Sequence, residues 1–507
     1  MKKKFKCFFA CTAILAVGLT GCTKEDIIKI DDGKGSDVVE GVSTYATFNF
    51  VIDRAGTRAT DMINDKDENA EVKDIRLIIF KTGAVTTCEV NDVYKVGETD
   101  WESNKSKTVQ LTSGTKRIFV ITNAESQKNL VKFIDTTSVV VGKTSLGEFY
   151  NMAYDLGAAK LANIDKLKEL VDPVNRFVLS NTISSKSSFT LRGGVGMDES
   201  RKGSVQENNF NIEIQRTVAK AAVYYKSTAL ETTDKAGKLS DLKYTMQNVN
   251  RSLYLFQKFA SDMVDPAAST PRSPYYSLAL GTPAATYDTT YYSDYKFVSM
   301  SDKVNGNVYI TENTSETPRI GTTTYAAIQS VFLPKSGHVV DTFVFDKLNS
   351  KFTATASKND ASTAKTLYKL VDVGTSTGLT VNAFFVDSVL AYKAAYCIDK
   401  KTDVGFDIKS IDALKWDSSK GKGYIIEYPG GISYHRLNIG SGNVPNFVPG
   451  VKRNNIYNAQ ITSFSGIGAP NLKDLNKDLE NTIGQKTHVT ATISVINWST
   501  VNTENQL

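Results

Sequence analysis

Histidine is nearly absent from this chain. Its 507 residues include only His338, His435 and His488, with no two at the helical spacing of a metal clamp. A zinc or imidazole-based catalytic centre is therefore not expected, and each His reads as a surface or strand residue. Cysteine is also scarce. Cys7 and Cys11 lie in an N-terminal apolar stretch that ends at Cys22, while Cys88 and Cys397 stand far apart. Two such residues make no disulfide framework, and both read as small buried hydrophobes. Phosphate-binding loops, nucleophile elbows and dinucleotide fingerprints are missing. The glycine pairs at 193–194 and 430–431 fall between strand-like runs, as turns do. Carboxylates are plentiful, but no spacing singles out an acid/base couple. The net charge of +6 is small for the length and forms no basic stripe, so nucleic acid is not an expected partner. These absences point away from an enzyme and imply neither metal nor cofactor.

Strand-forming sequence is what remains in quantity. Tyr (23) and Phe (24) are abundant, beside many Thr, Val and Ile, so the chain should be mainly β with a few short helices. At this length two or three domains are expected. Residues 43–53, STYATFNFVID, alternate cleanly, with Ala46, Phe48, Phe50 and Ile52 on one face. A polar, acidic stretch follows and contains Arg54 and Arg58. Strand signals resume at 72–80, 108–112 and 116–123. Helical spacing appears after Asn123, over about 125–133, and again at Leu161, Ile164, Leu167 and Leu170 or Val171, which Pro173 closes. A Pro-, Ser-, Thr- and Tyr-rich stretch at 264–300 is read as the change of domain. Strand-and-turn sequence then continues to a final alternating run, with Val489, Ala491, Ile493 and Val495 on one face.

The N-terminus begins with lysines, continues with an apolar run too short to span a membrane comfortably, and ends Leu19-Thr20-Gly21-Cys22. That ending resembles the bacterial lipobox, which implies lipidation of Cys22 and removal of residues 1–21. Lys24, Glu25 and Asp26 just behind it resemble the surface-export signal of Bacteroidetes lipoproteins. Asp387-Ser388-Val389 resembles a Bacteroidetes O-glycosylation motif, though so short a match carries little weight.

Several segments, taken in order, resemble the type V fimbrial (pilin) subunits of Bacteroidales, the FimA-like fimbrillin family. They are VKDIRLIIF (72–80), RIFVITNA (117–124), IEIQRTVAKAAVYY (212–225), NVYITENT (307–314), GGISYHRLNI (430–439) and VKRNNIYNAQITSFSGIGAP (451–470). The last keeps Arg453, Asn454, Tyr457, Ile461, Gly468 and Pro470 of a family element, and ISVINWSTV (493–501) resembles the family's terminal strand, with Trp498. Gln215 stands where an acidic residue is common. Residues 264–300 and 340–420 match nothing in the family.

The resemblance implies two β-sandwich-like, transthyretin-like domains, 59–262 and 263–507, behind a propeptide at 22–58. It implies a lipoprotein precursor at the outer membrane and cleavage by an Arg-specific protease, at Arg58-Ala59 by preference and at Arg54-Ala55 as second choice. The strand bearing Ala46, Phe48, Phe50 and Ile52 would then leave. The end of another copy, about 488–507, would replace it through Val489, Ala491, Ile493, Val495 and Trp498. Partners would be copies of itself and other fimbrial subunits, and the product a cell-surface fimbrium that supports adhesion. Two other readings stay open from the residues. One is a surface lipoprotein that binds glycan or host protein and keeps its N-terminus, which includes an anchor or tip subunit. The other is a secreted hydrolase without a recognisable motif. Without the resemblance, alternating first and last strands would simply pair within one fold.

Overall fold

The computed structural model describes residues between 38 and 497, apart from 53–71, 96–105, 156–166, 172–176, 261–268, 279–290, 372–382, 416–423, 484–488 and some shorter stretches. Cys22, expected to be lipidated, both arginine bonds expected to be cut (Arg54-Ala55 and Arg58-Ala59) and Trp498 lie outside the described residues, as does the side chain of Ile52.

Eight strands build the first sheet: β1 (Ser43–Ile52), β2 (Asp74–Lys81), β3 (Cys88–Lys95), β4 (Ser106–Thr112), β5 (Gly114–Thr122), β6 (Leu179–Ser180), β7 (Ser188–Leu191) and β8 (Asn209–Arg216). They run in the order β3-β2-β5-β6-β8-β1-β4, with β7 also beside β5. Side chains from β2 and β4, at opposite reaches of this sheet, share one apolar cluster with Ala46, Phe48 and Phe50, so the sheet curls round its own core. Strands β2 and β5 are apolar on both faces, and the structure gives the reason. Ile75, Leu77 and Ile79 face the inner core, while Ile78 and Phe80 belong to a second cluster on the outside. Helices α1 (Lys128–Ile134) and α2 (Leu146–Tyr150) contribute to that second cluster. Phe80, Phe119, Phe149 and Phe256 pack there with ring centroids 4.9–5.7 Å apart. Ser145 caps α2 in a reciprocal box with Glu148, satisfying donors that a five-residue helix cannot satisfy itself. The helix expected near 125–133 is α1, displaced by a few residues. Of the second helical pattern, Leu167 and Leu170 are helical and buried.

A second pair of sheets begins at β9 (Val218–Tyr225) and β10 (Gly237–Gln247), followed by β11 (Val298–Ser299), β12 (Val308–Thr311) and β13 (Tyr325–Pro334). The chain then leaves for β14 (Val339–Asp346), β15 (Lys351–Ala356), β16 (Leu367–Leu370), β17 (Phe384–Phe385), helix α3 (Ser388–Lys400) and β18 (Ile425–Tyr428). It returns as β19 (Ile432–Asn438), β20 (Asn455–Phe464) and β21 (Val489–Asn497). The two facing sheets have the orders β12-β9-β20-β21 and β11-β10-β13-β19. Between them lie Ala221, Val223, Tyr244, Ile328, Tyr457, Ile461 and their neighbours.

Sheet pairing changes over at Thr217, well before the domain change expected near 262. Strands β9 and β10 pair with β20 and β13 of the second half, not with the first sheet. Within the Pro- and Ser-rich stretch at 264–300, the described Arg272 bridges to Lys258 and Val298 pairs with Tyr244 of β10. The excursion from 339 to 428 is a five-stranded sheet, β15-β14-β17-β16-β18, with α3 packed on it around Phe343, Phe385, Tyr392 and Cys397. Asp387 accepts a hydrogen bond from the Leu390 amide at 2.7 Å and caps α3. Cys88 and Cys397 are both buried and free. His435 lies buried in β19 with Nε2 3.0 Å from the Gly466 carbonyl.

Four residues of the 453–470 element have a visible physical task. Arg453 forms an ion pair with Glu312 at 3.2 Å, and the two side chains are 0% and 2% exposed. Its guanidinium also donates to the carbonyls of Leu255 and Tyr254, while Gln257 donates to Glu312 at 2.6 Å and Gln215 to Gln257 at 2.7 Å. Asn454 takes a left-handed φ of 55°. The Tyr457 hydroxyl accepts from the Lys452 amide at 2.7 Å. A Cβ on Gly468 would stand 2.1 Å from the Tyr434 carbonyl oxygen, so only glycine fits. Arg453→Met should strand the Glu312 carboxylate in the interior and destabilise the fold by about 3–5 kcal/mol, read by urea unfolding. Adding Glu312→Gln should recover part of that loss.

Candidate strand-exchange site

Strand β1 is an interior strand, antiparallel to β4 and parallel to β8. Thr47 stands opposite Thr108 on one side and Asn209 on the other. Its core face carries Ala46, Phe48 and Phe50, all fully buried. The Phe48 ring stacks on Phe210 at 6.2 Å and meets Phe189 edge-on at 6.5 Å. These three side chains fit the alternation read from the sequence, and burial of the two phenyl rings is worth about 3–6 kcal/mol.

The opposite face of β1 is held by polar contacts. The Thr47 hydroxyl lies 2.9 Å from Thr108 Oγ1 and 3.0 Å from Ser200 Oγ, at the end of the helical turn Met197–Ser200. Asn49 Nδ2 donates to Asn209 Oδ1 at 2.7 Å and Asn211 Oδ1 at 3.1 Å. At the start of the strand, on the face of Ala46 and Phe48, buried Asn208, at φ 55°, donates to Thr44 Oγ1 (3.0 Å) and to the Tyr45 carbonyl (3.1 Å). The Val195 amide also donates to Thr44 Oγ1, at 3.1 Å. None of these polar residues stood out in the sequence. Thr and Asn at alternate positions read as an ordinary wet face, and the covering turn comes from about 150 residues downstream.

At the start of the strand, Val42 and Ser113 exchange backbone hydrogen bonds through the Ser113 hydroxyl and amide. Nearby, Glu89 pairs with Lys116 at 2.7 Å and accepts from the Thr112 hydroxyl and amide. Burial alone would raise the Glu89 pKa. The hydrogen bonds from Lys116 and Thr112 outweigh it and hold the carboxyl below its ordinary value.

Strand β21 is placed differently. It pairs antiparallel with β20 from Asn455↔Asn497 to Phe464↔Val489, at the edge of its sheet. Val489 and Ile493 are buried in the second core, with Ala491 and Val495 packed against it. Thr490, Thr492 and Ser494 on the other face are exposed. The first and last strands therefore do not meet within one chain. Among the described residues each sits in a sheet of its own, the first with two neighbours and the last with one.

Among the described residues no helix is long and apolar enough to cross a membrane, and no group of His, Cys, Asp or Glu could hold a metal ion.

Residues 427–505 match the family model described as major fimbrial subunit protein type IV, fimbrillin, C-terminal. That span contains β19, β20 and β21, and with them the Arg453 element and the last strand. No curated protein matches the chain. Among solved structures, a putative cell adhesion protein of Parabacteroides distasonis is similar at 10% identity, with 91% of this chain and 100% of that one covered and a TM-score of 0.41. A fimbrilin (FimA) of Porphyromonas gingivalis is similar at 15% identity, 90% and 98% covered, TM-score 0.39. The tip fimbrial protein Mfa3 of P. gingivalis is similar at 11% identity, 89% and 99% covered, TM-score 0.32. Overlaps this loose carry no argument about this chain. Similarity to a known family is thus carried by residues 427–505, which resemble the C-terminal part of fimbrillin major fimbrial subunits.

Proposed function

We propose that the chain is a structural subunit of cell-surface fimbriae that polymerises by strand exchange. On this reading it is exported as a lipoprotein anchored through Cys22 and cut after Arg58 by an Arg-specific protease. Strand β1 then leaves the first sheet, and β21 of another copy takes its place. The observation that carries the reading is the seat of β1. It is an interior strand whose departure would bare an apolar trough and two unpaired backbone edges, β4 and β8. Such a trough is a template for an incoming strand. The incoming strand needs alternate apolar residues, and Val489, Ala491, Ile493 and Val495 offer them. In its own sheet β21 has one neighbour, whereas the trough offers two, so the move adds a hydrogen-bonded ladder.

A second reading has one observation in its favour. Both terminal strands are already seated, so a non-polymerising adhesin that keeps its first strand needs no rearrangement. An anchor or tip subunit would also keep that strand.

The two readings part at the arginine. Arg58→Ala should leave lipidated monomers, and deletion of 488–507 should abolish fibres, both read by electron microscopy of surface material. Normal fibres from both variants would overturn the proposal. A further variant tests the trough directly. Thr47→Cys with Thr108→Cys should lock β1 to β4 by a disulfide, so that cleaved protein stays monomeric when oxidised and assembles on reduction. Assembly of the oxidised form at the normal rate would show that β1 need not leave.

A further inference from the structure

The first and last strands match in more than their apolar period. Residues 45–51 read YATFNFV and residues 490–496 read TATISVI. Aligned in the same chain direction, Ala491 falls on Ala46, Thr492 on Thr47, Ile493 on Phe48, Ser494 on Asn49 and Val495 on Phe50. We propose that β21 of a second copy enters the trough in this one register, with the Thr492 hydroxyl taking the buried place between Thr108 and Ser200 that Thr47 now holds. The inference rests on the strand-exchange reading and goes beyond it, since it fixes which residue of one copy meets which residue of the next.

Volume and polarity exclude the other registers. A slip by one residue turns Thr490, Thr492 and Ser494 into the apolar core. A slip by two in one direction sets Val489 where fully buried Ala46 fits and leaves Ala491 in the seat of Phe48. A slip by two in the other direction sets Ile493 over the alanine seat and drives Asn497 into that of Phe50. Only the proposed register puts alanine on alanine and an aliphatic side chain in each phenyl seat. It also returns a hydroxyl to the one buried polar site on the outer face, 2.9 Å from Thr108 and 3.0 Å from Ser200. Thr492 is exposed in its own sheet, so a threonine there is not needed for folding of the monomer. The match stops at Thr44, where Val489 cannot accept from Val195 and Asn208.

Disulfide mapping in fibres reads the register. Protein with Thr108→Cys and a second cysteine at 490, 492 or 494 is cleaved, assembled under reducing conditions, oxidised and run on a non-reducing gel. A ladder of linked multimers is expected with Thr492→Cys and lost with Thr490→Cys and Ser494→Cys. A ladder at 490 or 494 in place of 492 overturns the register while leaving strand exchange intact. Fibres without a ladder from any of the three overturn strand exchange into this trough altogether. The isosteric Thr492→Val avoids new thiols. It should leave monomer unfolding unchanged and speed fibre dissociation in denaturant about tenfold, the effect of losing one buried hydrogen bond. Equal fibre lifetimes overturn the hydroxyl seat.

Discussion

Between Asn209 and Tyr225 an almost unbroken run of extended chain serves two sheets. Its first half, β8, lies parallel to β1 in the first sheet. Its second half, β9, lies parallel to β20 in the second, and β20 in turn holds β21. The hand-over at Arg216-Thr217 is buried. The Thr217 amide donates to the Val178 carbonyl, and the Asn454 amide reaches back to the Val218 carbonyl. Arg216 stacks its guanidinium 5.4 Å from the Phe177 ring centre. The seat of the first strand and the support of the last are thus built on one piece of backbone. The Gln215–Gln257–Glu312–Arg453 chain of hydrogen bonds crosses at the same place. A polar network buried this deeply is stable only when every member is satisfied, so it fixes how β8, β12 and β20 come together.

Much of this was legible in the residues. The strand at 43–52 and the doubly apolar strand at 72–80 follow directly from alternation and composition. The 453–470 element was legible only through its resemblance to a family element, and its physical meaning emerged with the fold: a buried ion pair, a left-handed Asn and a glycine pressed against a carbonyl. The change of sheet at Thr217 was not legible, because it carries no Gly, Pro or Asn to mark it. Pro, Gly and Asn mark turns and loops rather than changes of sheet. The excursion at 339–428 was hidden for a related reason. Its strands β16 and β17 are too short to show a period, and α3 is rich in alanine and tyrosine rather than leucine.

The candidate site divides in the same way. Its apolar half could be read, since Ala46, Phe48 and Phe50 announce themselves by period. Its polar half could not, because Ser200, Asn208 and Thr108 come together only through long-range pairing. A hydroxyl such as that of Thr47 looks solvated in sequence and proves to be buried under a turn from far along the chain.

On the strand-exchange reading, timing follows from how β1 is held. Before cleavage it is tethered to the trough it fills, at an effective concentration on the order of millimolar, which a separate copy cannot match. Cutting the linker removes that advantage without touching a single contact of the strand. From then on the contest is between seats. The departing strand has the better apolar fit, with two phenyl rings against isoleucine and valine. It also has two hydrogen-bonded neighbours, just as its replacement would. What the incoming strand has is the remainder of a folded domain behind it. Once β1 is released as a short free peptide it is diluted, while a docked β21 remains bound to a subunit that further joints hold in place. Smaller side chains in the trough are then compatible with a lasting joint, because persistence comes from connectivity as well as from packing. The same mismatch in size keeps free C-terminal strands from displacing an uncut β1, which confines assembly to cleaved subunits.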